Sequence, residues 1–413
     1  MAAPAPEQPP SISRWRIFAA APHRMLFAAG ATQLLLVMIL WSAELLARAG
    51  VWTPPLWTIA PIGAHAFLVL YGLFPFFIFG FLLTVYPRWM ARPEIPAARY
   101  VPLFVLLVCG LGLFYLGLFS ARWLVVAGVL VYGAGWATAL SALLGVYRGA
   151  RNRGPHERLL NAALAAGVLG VFVHAYGLYA DNAAALAAAR ALGLWLFLVP
   201  VLLTILHRML PFFSSVALPQ YPWTRPAWTL PLLGVCVLGH AALEILDARA
   251  WLFVFDAPLA FLALHHSYTW NFRRSLEVPL LAMLHIALLW FALAMTLYSA
   301  QSLALLLAQP LALGRAALHA LGIGFVAGTL VSMATRVTLG HSGRPVEADA
   351  LTWYCFLGMN LAALLRVAAE FSPGTTGATL NVLAAAAWLA SFVPWIWRYA
   401  PMYLQPRIDG RPG

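Results

Sequence analysis

LALGRAALHALGIGFVAGTLVSMATRVTLGHSGRP, residues 311–345, decides how the chain is read. Its first ~27 residues are almost uncharged, and at ~1.5 Å per residue they are long enough to cross a hydrocarbon core of ~30 Å. The stretch therefore reads as a transmembrane helix. Within it, His319 is followed by Gly322, Gly324 and Gly328, so a potential metal ligand sits beside a strip with almost no side-chain bulk. Such a strip admits a flat cofactor or a closely packed neighbouring helix. The helix ends in Arg336, Thr338, Gly340, His341, Gly343, Arg344 and Pro345, a polar turn with two cations and a second imidazole. One segment thus offers a buried ligand, room beside it and an anion-binding exit.

Composition agrees with a membrane setting. Of 413 residues, 63% are hydrophobic and only 9% charged, which fits a polytopic membrane protein and no soluble class. The net charge of +12 comes from arginine alone, since the sequence has no lysine. The arginines sit in short loops between apolar spans, where the positive-inside rule accounts for them and nucleic-acid binding is not needed. Cys109, Cys236 and Cys355 are solitary within apolar spans and read as packing residues. No cleavable signal peptide is evident, because the Pro- and Ala-rich start with Arg14 and Arg16 reads as a short cytoplasmic tail.

Twelve apolar spans are expected, at about 25–47, 61–86, 101–120, 123–147, 159–180, 191–213, 227–246, 250–270, 278–302, 312–338, 351–371 and 377–401. With the N-terminus inside, nineteen of the 25 arginines fall in cytoplasmic loops or tails. This predicts an all-α, polytopic integral membrane protein with twelve transmembrane helices and both termini cytoplasmic. Residues 1–24 form an N-terminal tail, 25–402 a single transmembrane domain and 403–413 a C-terminal tail. The connections are too short to fold alone, so the chemistry belongs within the membrane or at its faces. Prolines 75, 200 and 258 inside spans predict kinks that free backbone carbonyls. No internal repeat of the transporter kind is evident by eye.

The histidines are the informative set, because an imidazole in hydrocarbon is costly without a partner. His65, His174, His240 and His319 fall in the outer half; His207, His265, His266, His285 and His341 fall in the inner half or at the inner face; His23 and His156 lie in cytoplasmic segments. His65 lies ~6 Å and His319 ~10 Å below the outer edge, close enough in depth to share one metal. Two imidazoles from facing helices can hold haem iron, and imidazole also suits copper. Any single histidine is more simply a hydrogen-bonded helix-interface residue, but nine in one bundle favour at least one metal or cofactor site. Among the other ionisable residues, Glu44, Glu244 and Arg366 read as interfacial, and Asp256 is the one that suits a proton carrier. Trp52, Trp57, Trp395 and Trp397 read as interfacial belts.

Several segments are similar to the NnrS family, membrane proteins containing haem and copper and linked to nitric oxide metabolism. HAFLVLYGLFPFFIFGFLLTVYPRW (65–89) resembles the family's WHxHEM segment running into GFLLTAxPNW, RMLPFFS (208–214) its GRxxPxFT turn, and MLHIALLWFAL (283–293) its VLHxGYxWL helix. LHALGIG (318–324) with MATRVTLGHSGRP (333–345) resembles ALHALTxGxxG and MTRATLGHTGRP. The resemblance implies His65, His285, His319 and His341 as functional histidines. It implies haem b, with copper as a second metal, in a bacterial inner-membrane protein of nitric oxide metabolism or nitrosative-stress resistance. Phe67 and Leu68 stand where a second histidine and an acidic residue are expected, and His207 replaces the glycine before Arg208. A copper site needing both second-span histidines therefore cannot form as in the family pattern, and His207, His174 or His240 is left to substitute.

The expected site then comprises His65, His285, His319 and His207 as metal ligands, with His341, Gly322, Arg336 and Arg344 around the cofactor. Guanidinium forks suit haem propionates, although topology alone also gathers arginines at the inner face. Nitric oxide, the lipid bilayer and a quinol or other electron donor are the expected partners. If the protein is an enzyme, it is a membrane haem oxidoreductase acting on NO. Two alternatives stay open. One is a nitric oxide reductase like the haem-copper oxidases, to whose paired histidines His265 and His266 bear a faint likeness. The other is a small-molecule transporter with structural histidines.

Overall fold

The computed structural model describes residues 13–410, and these are all-helical, with no strand among them. In chain order the principal helices are α1 Pro22–Arg48, α2 Pro61–Trp89, α3 Ala97–Leu118, α4 Arg122–Gly149, α5 Pro155–Tyr179, α6 Ala183–Ala217, α7 Thr229–Ile245, α8 Phe253–Thr269, α9 Pro279–Leu306, α10 Ala316–His341, α11 Ala350–Ala369 and α12 Gly374–Leu404. Ten of them are long and apolar enough to cross a membrane. α7 and α8 have 17 residues each and do not reach that length, spanning ~25 Å. Residues 1–12 and 411–413 of the expected tails lie outside the described residues. Proline opens α1, α2, α5 and α9, where its missing N–H costs nothing and its fixed φ suits a first turn.

Contacts at the helix ends sort the bundle into two faces. At one, the Arg24 guanidinium donates to the carbonyls of Tyr403 (3.3 Å) and Gln405 (2.8 Å), and the Ile408 N–H to the carbonyl of Ser342 (3.1 Å). The start of α1 and the end of α12 therefore share a face. At the other face the Thr58 N–H donates to the Leu118 carbonyl (2.9 Å), and the Arg122 guanidinium donates to the Leu178 carbonyl (2.6 Å). Asp349 caps α11 at the termini face, accepting from the Thr352 N–H (2.9 Å) and hydroxyl (2.7 Å) and pairing with Arg398 (3.1 Å). Partial burial raises the Asp349 carboxyl, but these donors outweigh it and hold the group below its ordinary value.

Three helices share one irregularity. α2, α6 and α10, four helices apart, each wind as π-helix in the half away from the termini, over Leu68–Leu73, Leu192–Leu198 and Ala320–Ala327. Two of these turns precede a proline expected to kink its span. Pro75 cannot donate to the carbonyl of Tyr71, and the buried Tyr132 hydroxyl supplies the missing bond at 2.6 Å. The Tyr71 hydroxyl in turn donates to the Ala189 carbonyl at 2.6 Å, joining the turn in α2 to the one in α6. π-Helical turns are frequent at functional sites. Tyr71→Phe removes one of two donors to the buried Ala189 carbonyl, which also accepts from the Leu192 N–H, and is expected to cost about 0.5–1.5 kcal/mol. Thermal unfolding of the detergent-purified variant checks this, and an unchanged Tm would show that the bond contributes nothing.

Not every aromatic lies where belts would place it. Trp395 is fully buried, its indole N–H donating to the Thr335 hydroxyl at 2.9 Å, whereas Trp397 is 84% exposed. Cys236 and Cys355 pack inside the bundle, and Cys109 is exposed on its surface.

Candidate functional site

His65 stands in the first turns of α2, three residues before its π-helical turn, and His319 immediately before that of α10. Both helices run from the face opposite the termini, so the two imidazoles occupy the same end, within electrostatic range of each other. The His65 ring lies flat on Trp41 of α1 (4.1 Å between centroids, 20°), and Arg48 covers the same indole at 5.1 Å. His65 Nδ1 is buried and has no hydrogen-bond partner. His319 Nδ1 lies 2.9 Å from the Arg315 carbonyl. A carbonyl oxygen only accepts, so Nδ1 carries the proton and Nε2 keeps the lone pair that a metal requires.

The surroundings of this pair are open and cationic. One turn beyond His319, a Cβ added to Gly322 would meet no atom within 4 Å. Arg48, Arg315 and Arg366 are within electrostatic range of His65. Arg366 pairs with Glu370 through Nη2 at 2.6 Å, while its Nη1 is buried and unpartnered. An unpaired imidazole nitrogen, an imidazole fixed with its lone pair free and an unpaired guanidinium N–H are the kinds of group that could hold a metal and a carboxylate. Arg366 was legible in the sequence only as an interfacial arginine. The usable signal was its place in the last turn of α11, at the same depth as His319.

The remaining expected residues lie elsewhere. His341 closes α10 at the termini face, roughly 30 Å along the helix from His319, and its ring meets that of His23 at 4.5 Å. Arg344 Nη2 donates to the Gln405 side chain at 3.2 Å at that face. Arg336 covers the ring of Phe213 at 4.0 Å. Neither arginine is at the His65–His319 end. His285, 0% exposed with both ring nitrogens unpartnered, lies two turns into α9 from the termini face, so it does not join the pair.

His207 is fully committed to hydrogen bonds. The Thr229 hydroxyl donates to the Pro226 carbonyl (2.8 Å) and so accepts from His207 Nε2 (2.8 Å), which leaves His207 Nδ1 to accept from His156 Nε2 (2.9 Å). His266 packs beside this chain, 5.5 Å from the His207 ring and stacked on Trp270 at 4.1 Å. Nearby, Glu157 pairs with Arg208, whose guanidinium covers Trp89 at 4.4 Å. Of the three substitutes for the missing second-span histidine, only His174 has a free buried nitrogen, and its ring stacks on Phe67 at 4.7 Å. Among the described residues, no three His, Cys, Asp or Glu side chains are placed to hold one metal ion.

A narrow cleft lies between α1, α2, α6 and α10. Its walls are almost wholly apolar and include Phe74, Leu198 and Val326, one from or beside each π-helical turn.

An all-helical bundle of long apolar helices, with unpaired imidazole nitrogens inside it, defines a multi-pass membrane protein. The sequence model described as NnrS protein matches residues 17–407, nearly the whole chain, and the chain belongs to the NnrS family. No curated protein matches it.

Proposed function

We propose that the chain is a haem protein of the bacterial inner membrane that binds or turns over nitric oxide, with His319 and His65 as the imidazoles that hold haem b. The observation that carries this reading is His319, whose proton is fixed on Nδ1 by the Arg315 carbonyl, which leaves the lone pair on Nε2. Arg366, with Arg48 and Arg315, is placed to meet the propionates. Haem would supply an iron centre able to bind NO or pass electrons.

The two imidazoles are not equivalent. A ligating histidine whose second nitrogen donates to a carbonyl is the better oriented and the more basic. His319 has that bond and His65 lacks it. Of the two, His319 would hold the group the more firmly, and His65 would be the more readily displaced. The apolar cleft suits a small uncharged molecule such as NO. Turnover requires an electron donor, for which a quinol from the bilayer is the natural class. The family's copper finds no three converging side chains here, and no step is assigned to it.

In this reading α7 and α8 also cross, giving twelve passes. Trp270, just past α8, donates to the Thr224 carbonyl (3.0 Å) in the loop before α7, and Phe253, at the start of α8, donates to Ser302 (3.0 Å) near the far end of α9. The pair thus reaches from one face to the other. The arginines gathered with both chain ends support a cytoplasmic side for that face.

The test is an absorption spectrum of the detergent-purified protein produced with ample haem. A Soret band that shifts on adding NO is expected. Protein without a Soret band would overturn the proposal.

A further inference from the structure

A second buried cluster lies apart from the histidine pair. His240 of α7 is 0% exposed and stands between two carboxyl groups: Nδ1 is 2.5 Å from Asp256 Oδ1 of α8, and Nε2 is 3.2 Å from Glu244 Oε2, one turn along α7. The Trp195 indole, in the π-helical turn of α6, covers the imidazole at 3.4 Å, and Tyr298 of α9 stands edge-on at 5.5 Å. Asp256 is 0% exposed and its Oδ2 is buried without a partner, whereas the Glu244 side chain is 34% exposed at the face away from the termini. Cys236 on α7 and Arg249 after it complete the titratable groups that act on the cluster.

Hydrogen-bond bookkeeping fixes the proton content. A carboxylate only accepts, and a neutral imidazole has one N–H and one lone pair. With a carboxyl oxygen against each ring nitrogen, two protons and a net charge of −1 are the least that makes both contacts hydrogen bonds. Three arrangements satisfy this: protonated Glu244 against Nε2 with Nδ1–H on Asp256; an imidazolium between two carboxylates; or Nε2–H on Glu244 with protonated Asp256 against Nδ1. Since both ring nitrogens are occupied, His240 has none left for a metal.

We propose that Glu244, His240 and Asp256 form a proton relay that carries a proton from the exposed carboxyl of Glu244 to the buried carboxyl of Asp256. In the forward step the Glu244 O–H bond breaks as N–H forms at His240 Nε2, and the Nδ1–H bond breaks as O–H forms at Asp256. The imidazole is neutral before and after, the transfer itself leaves the net charge unchanged, and a pH drop drives it by re-protonating the Glu244 carboxylate left at the exposed end. The unpartnered Oδ2 favours this direction, because a buried carboxylate oxygen without a donor is costly and a neutral carboxyl is not. Trp195 and Tyr298 keep water from bridging past the ring, so the proton passes through His240.

The experiment is time-resolved infrared spectroscopy after a pH drop on the full-length protein in liposomes, following the carboxylic-acid carbonyl band that Asp256→Asn removes. The band is expected to rise in the wild-type protein and to rise more slowly by about tenfold or more in Glu244→Gln. His240→Phe should lose the rise altogether. Should that variant fail to fold, Glu244→Gln, nearly isosteric and part-exposed, remains decisive. An Asp256 band absent at every pH would mean a static ion triad and overturn the relay. A band rising equally fast in Glu244→Gln would overturn it too.

Discussion

His319→Ala protein, purified beside the wild type, will carry less than about a tenth of its haem, since even the partners that orient a ligand are worth 10- to 100-fold in affinity. His65→Ala will keep more haem than His319→Ala, because the imidazole that remains is the one anchored to the Arg315 carbonyl. Haem extracted per chain measures both. His285→Ala serves as the control: it removes a buried, unpartnered imidazole from α9 without touching the pair. If all three variants lose haem equally, the loss reports damage to the fold and not ligation.

The second large effect concerns the bundle itself. A Cβ at Gly110 of α3 would stand 2.5 Å from the Tyr132 nitrogen and 2.8 Å from the Gly128 carbonyl oxygen of α4, and a backbone atom cannot rotate away. Gly110→Val must therefore push the two helices apart, at a cost of about 3 kcal/mol or more. Tyr132, whose hydroxyl satisfies the carbonyl of Tyr71, moves with α4, so the damage reaches the π-helical turn of α2. Little folded protein should be recovered. Gly112→Val, where nothing lies within 4 Å, should be recovered normally. Equal yields would contradict the close approach of these helices.

Much of this architecture is written in hydropathy. Ten long apolar helices fall close to the expected spans because uninterrupted apolar runs leave little else to decide. The apolar spans at 227–246 and 250–270 that become α7 and α8 were also visible, but not that each helix is only 17 residues long. The π-helical turns were beyond reach: the hydroxyl that satisfies the Tyr71 carbonyl in α2 comes from Tyr132, 61 residues along the chain. Counting residues from span ends put His65 and His319 at one depth and warned that Arg336 and Arg344 sit at the opposite face. It could not show that Arg366 comes near the pair, that His23 meets His341, or that His174 stacks on Phe67. Those neighbours lie between 100 and more than 300 residues apart in the chain, so tertiary packing alone brings them together.

Electron paramagnetic resonance of the oxidised protein tests the central claim most directly. Two imidazoles on one ferric haem predict a low-spin signal in the wild type, converted to high spin in His65→Ala. A high-spin signal in the wild type, or a low-spin signal that persists in both His65→Ala and His319→Ala, would contradict the account.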